Sequence, residues 1–139
     1  MNWFYWALGS AGFAALTALL AKVGVTEVNS NLAMAIRTSV AMLFSWALAW
    51  ATVPAEEWAT PSSRSMIFLV LSGGATGLSW MCYFHALRLG PVARVAAVDK
   101  LSVALAAILA VTFLGERLDA RSMAGLALMV AGAALMAWK

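Results

Sequence analysis

Residues 92–115 read VARVAAVDKLSVALAAILAVTFLG, and how this stretch is read decides the fold. It is apolar over the length a membrane-crossing helix needs, about 20 residues, yet Asp99 and Lys100 sit inside it. One charge at mid-helix in hydrocarbon costs about 2.5–3.5 kcal/mol on insertion scales. Two in succession stand out in a chain of 139 residues that has only 9 Lys and Arg and 6 Asp and Glu. An ionisable group inside a span is a functional-site candidate by default.

The rest of the chain fits the same reading. Hydrophobic residues make up 64% and charged residues 11%, whereas a soluble domain carries about 25% charged residues. Five apolar runs, at 2–21, 31–53, 65–87, 92–114 and 122–138, are each near spanning length. Polar punctuation separates them: Lys22 and Glu27; Pro54, Glu56, Glu57 and Pro61; Arg88 and Gly90-Pro91; then Glu116, Arg117, Asp119 and Arg121. Gly90-Pro91 ends one helix and opens the next, since proline suits a first helical turn. The connections are short, so successive helices run antiparallel. The expected architecture is an all-α integral membrane protein of five transmembrane helices, with residues 1–139 as one domain.

Composition also excludes several classes. The net charge of +3 falls partly on residues deep in the spans, and the basic patch interleaved with aromatics that nucleic acid requires is missing. The single cysteine, Cys82, lies in an apolar run and has no partner for a disulfide within the chain. The start, MNWFYWALGSAG, lacks a basic n-region and leads straight into the first span, so no cleavable signal peptide is expected. No Ser/His/Asp arrangement, paired intramembrane carboxylates or nucleotide loop points to catalysis or a cofactor. One histidine without a Cys or carboxylate cluster makes no metal site. Trp3, Tyr5 and Trp6 fit one interfacial aromatic belt and Trp138 the other, with Trp50 and Trp58 flanking the second loop.

Cationic residues do not choose an orientation. The face holding the amino terminus carries Arg64, Arg117 and Arg121; the opposite face carries Lys22, Arg88, Arg94 and Lys139. The terminal amine evens the count, leaving no positive-inside bias. A chain without such a bias is expected to insert both ways, with opposite copies pairing; the plainer reading is that details outside this count set one orientation. Two copies would build the inverted-repeat object that many transporters encode in one chain.

The polar residues converge at one level. Arg37 lies about 9 Å into the second span and Asp99 about 12 Å past Pro91, on helices that start at the same face. The two are at similar heights and in reach of each other. Asp99 and Lys100 point about 100° apart, so each is expected to need a partner elsewhere. The third span brings Ser79, Trp80, Tyr83 and His85 to the same level, with Trp80 and Tyr83 on one helical face. These side chains suit a polar, aromatic-walled cavity for a small polar or cationic solute, because aromatic faces attract cations. The other reading is structural: a buried Arg37–Asp99 pair fixing helix register, Lys100 snorkelling to the interface and His85 facing headgroups. The small residues Gly73 and Gly77 of SGGATG, and Gly125 and Gly132 of the last span, suit close helix packing, either within the chain or in a dimer.

These pieces resemble a known family. The stretch GLSWMCYFHALRLGPVARVAAVDKLSVALAAILAVTFLGERLDARSMAGLALMVAGAALM looks like the second part of an EamA-type repeat of the drug/metabolite transporter superfamily. The telling pieces are the AL-x-LGP turn at 86–91, DKLSV at 99–103 and FLGERL at 113–118. AKVG at 21–24 and AIRT at 35–38 extend the likeness over nearly the whole chain. Typical members have ten spans in two inverted five-span repeats, so this chain resembles one inverted-repeat unit. The resemblance implies an inner-membrane transporter of small solutes that acts as an antiparallel, dual-topology homodimer with alternating access in a lipid bilayer. Alternatives are a subunit of a heterodimeric lipid-intermediate flippase and a non-transporting scaffold. Spans three to five are also similar to the last three of small multidrug resistance proteins. The first-span carboxylate through which those proteins exchange protons for cations aligns here with Ala14. Asp99 is then the only deep carboxylate left for such a role.

Overall fold

A computed structural model describes residues 2–59 and 62–138; Pro61 and Lys139, used above in placing loops and charges, lie outside the described residues. All regular structure among them is helical. Helix α1 is Trp3–Val25, α2 Ser30–Thr52, α3 Ser63–Leu89, α4 Val92–Asp99, α5 Leu101–Leu114 and α6 Ala120–Ala137, with a 3₁₀ turn at Ala55–Ala59. Taken with Val92–Leu114 as one unit, five segments are long and apolar enough to cross a membrane. The all-α membrane architecture expected from composition is therefore the one observed, although most helix ends lie one to four residues away from the expected bounds.

Chemistry at the ends explains those shifts. Asn29 accepts the Asn31 backbone N–H at 2.9 Å and starts α2 one residue early. Val53 is extended ahead of Pro54, as the residue before a proline must be, and closes α2. Pro91 stands just outside α4 as its cap rather than inside its first turn, and its carbonyl receives Arg94 and Val95, both at 3.1 Å. Asp119 accepts the Ser122 N–H at 2.9 Å, so α6 begins at Ala120, two residues before the expected start. Gly115 adopts φ +69, the left-handed conformation that closes α5 after Leu114.

The chain forms two compact units, residues 1–22 with 89–139 and residues 23–88. In the first, α4 and α5 both pack against α6. Ala104, Ala107 and Ala110 are half-buried along α5, and Ala133 is buried on α6. Lys22 Nζ donates to the Gly90 carbonyl at 3.0 Å, which ties the end of α1 to the turn before α4. In the second unit α2 and α3 run antiparallel, and Val25, Ser30, Phe84 and Leu87 are buried. Trp58 stacks on Trp46 at 6.2 Å and donates from Nε1 to the Val53 carbonyl at 3.3 Å, folding the 3₁₀ turn back on α2.

Hydroxyls within the spans hide themselves. Ser39, Ser45, Thr52, Thr76 and Thr112 each donate to a carbonyl one turn earlier, between 2.7 and 3.0 Å. Hydrocarbon offers no water to satisfy a donor, so self-bonding is how a hydroxyl survives there.

Candidate functional site

The fourth span breaks where its charges are. Lys100 has ψ −9 rather than a helical value near −42°, and its N–H is shared between the carbonyls of Ala96 at 3.3 Å and Ala97 at 3.2 Å. The Lys100 carbonyl in turn accepts Val103 three residues on, at 3.0 Å. This is a tightened, 3₁₀-like step between α4 and α5, of the kind found at hinges. Val92–Leu114 remains one segment long and apolar enough to span, with the expected bounds, and this step lies inside it. Asp99 and Lys100, each expected to need a partner elsewhere, also meet one another. Lys100 Nζ reaches Asp99 Oδ2 at 3.6 Å, and both side chains are more than a third exposed.

In the other unit, Arg37 is half-buried on α2. Its Cζ lies 4.1 Å from the Trp80 ring centroid and 5.7 Å from that of Phe84. Both distances fall within cation–π range. Tyr83, half-buried beside Phe84, is close enough to Arg37 to interact electrostatically. The aromatic wall drawn from Trp80 and Tyr83 therefore includes Phe84, one turn beyond Trp80. That residue was legible as the i+4 neighbour of Trp80 but is concealed by its apolar character. The expected Arg37–Asp99 pair would join residues of different units, and each is already engaged inside its own.

His85 neither stands alone nor simply faces headgroups: its Nδ1 is 3.1 Å from the Oγ of Ser30, which is 1% exposed. This contact sews the start of α2 to the last turns of α3. Ser30 gave no cue in sequence, since a helix-opening serine reads as a cap. Ser79 is exposed on α3. Gly73, Gly77 and Gly125 are exposed and Gly132 half-buried; a Cβ built at any of the four meets nothing within 4 Å. These small-residue positions make no close packing in the described chain. Among the described residues no three His, Cys, Asp or Glu side chains gather to hold a metal ion.

Comparison with known proteins bears on this arrangement. The profile of the EamA-like transporter family matches residues 1–138. An uncharacterized transporter from the cobO 3' region of a Sinorhizobium species is 50% identical over 139 residues, covering 98% of this chain and 96% of that protein. No solved structure matches.

Proposed function

Because the chain belongs to the EamA-like transporter family, we propose that it is a secondary transporter moving small polar or cationic organic solutes across a bacterial plasma membrane. It works as an antiparallel homodimer of copies inserted in both orientations, by alternating access. The observation that carries this reading is the placement of Arg37, Asp99 and Lys100 within apolar spans, where charge is costly unless used. Supporting it are the even distribution of cations over the two faces and the open positions at Gly73, Gly77 and Gly125. The Sinorhizobium relative, matched over 96% of its own length, has the same single-repeat size. Five spans are half of a typical ten-span member, and a second copy supplies the other half.

In this reading Arg37, Ser79, Trp80 and Tyr83 meet the solute, with His85 toward the mouth. Asp99, at the break in the fourth span, is the proton or cation site. The test is uptake in proteoliposomes across a pH gradient. Asp99→Asn is expected to abolish uptake or flatten its pH dependence while the protein stays folded. Intact, equally pH-dependent uptake in that variant would remove Asp99 from the coupling step. A pure scaffold behaves differently: joint hydrophobic replacement of Arg37 and Asp99 would be tolerated without loss of function.

A further inference from the structure

The transport reading leaves the solute's charge open, and aromatic side chains alone suggest a cation. The geometry points to the opposite class: the Arg37 site takes a small organic carboxylate, bound by the guanidinium while Trp80 and Phe84 hold that guanidinium from the side. This inference rests on the proposed transport function and specifies its substrate.

The first ground is that the aromatic face is already taken. Arg37 Cζ sits 4.1 Å from the Trp80 centroid and 5.7 Å from Phe84, so a cationic solute would have to displace a resident cation from these two rings. The second is that the rings do not satisfy the guanidinium. A guanidinium carries five N–H donors, and an aromatic face supplies attraction but no acceptor lone pair. Among the described residues of its unit Arg37 has no ion pair. Neither α2 nor α3 contains an acidic residue, and the unit's Glu27, Glu56 and Glu57 all lie outside these helices.

The third ground is depth. Arg37 stands two turns into α2, and Trp80 stands nine residues before the end of α3, about 14 Å of helix. A snorkelling arginine would bend back toward the near end of α2, past Phe84 toward His85. The guanidinium instead lies closer to Trp80 than to Phe84. Counted along the helices, that level lies well inside both spans, so a solute rather than a lipid headgroup is the expected source of the oxyanion. The fourth is the balance of charge: Asp99 and Lys100 neutralise one another at 3.6 Å, so the deep charge left over from these three residues is the cation Arg37. Arginine meets a carboxylate with two parallel N–H···O bonds, a match an ammonium cannot make.

The test uses three probes with one ring and different charge: benzoate, benzamide and benzylamine. Purified full-length protein in detergent is titrated with each while the thermal unfolding midpoint is followed. Benzoate is expected to raise the midpoint, and benzamide and benzylamine to leave it unchanged. In Arg37→Lys, which keeps the charge, benzoate binding is expected to weaken at least about tenfold, the loss of one charge-assisted hydrogen bond. Arg37→Gln is expected to abolish it. A shift with benzylamine alone, a benzoate shift that survives Arg37→Gln, or no shift with any probe overturns the proposal. Should Arg37→Gln fail to fold, the benzoate affinity of Arg37→Lys decides. Exchange of radiolabelled benzoate in proteoliposomes, against empty liposomes, separates the two readings. Arg37-dependent binding without exchange keeps the anion site and removes the transport function; exchange of benzylamine unaffected by Arg37→Lys does the reverse.

Discussion

At the scale of single residues, two positions in the loop before the last helix set its geometry. Gly115 is the one described residue with positive φ, at +69, and any residue with a Cβ is strained there. Gly115→Val is expected to lower stability by about 1–2 kcal/mol, read as a drop in the thermal midpoint with transport of the folded fraction unchanged. Asp119 is the other. Hydrogen bonds from Ser122, side chain first and backbone second, hold its carboxyl below the usual carboxylate range. A group whose folded value is depressed contributes stability above its ordinary value, and loses it as pH falls through the folded one. The gap in thermal midpoint between wild type and Asp119→Ala should therefore be full near neutral pH and close at strongly acidic pH. A gap that persists there would mean the cap works without its charge. Asp119 was visible in sequence as loop punctuation and Gly115 only as part of FLGERL; the conformational roles of both needed the backbone.

At the scale of elements, the spans were legible because hydrophobic run length alone selects them in lipid, where no other stretch can hide its backbone. The break in the fourth span was not. Val92–Leu114 is apolar apart from Arg94 in its first turn, the Asp99-Lys100 pair and the hydroxyls of Ser102 and Thr112, with no proline or glycine to announce a kink. The loss of regularity lies in the backbone at Lys100, which no residue-type rule reports. The Arg37 contacts divide the same way. Depth and the Trp80 level followed from counting residues, while the choice of Phe84 and the Ser30–His85 contact depended on how α2 and α3 are rotated against each other. If the break is a working part, removing its cause should separate stability from function. Replacing Asp99 and Lys100 together by leucine is expected to restore a continuous helix, raise the thermal midpoint and abolish transport, because hydrophobic replacement of a charge pair is often stabilising. Normal uptake by the doubly substituted protein would show the break to be dispensable.

At the scale of the whole molecule, orientation in the membrane decides how the proposed transporter is assembled. In water, the exposed apolar side chains along these helices, such as Phe13 at 74% and Leu69 at 66%, would drive aggregation; in a bilayer lipid covers them, so apolar exposure does not by itself demand a partner. The proposed partner rests on the small-residue positions, which meet nothing in the described chain, and on charges that choose no side of the membrane. A chain inserted one way would present its sites to one compartment only, and two copies inserted oppositely restore the symmetry that alternating access uses. The measurement is accessibility in intact cells. With Cys82, the chain's single cysteine, changed to serine and one cysteine added after Lys139, a membrane-impermeant thiol reagent is expected to label about half of the protein, as evenly matched cations at the two faces require. Adding two lysines to the loop between α5 and α6 should then drive labelling toward all or none and reduce transport, and co-expression with a copy biased the other way should restore it. Complete or absent labelling of the starting protein would instead mean one orientation, and the second half of the transporter would have to be a different chain of opposite topology.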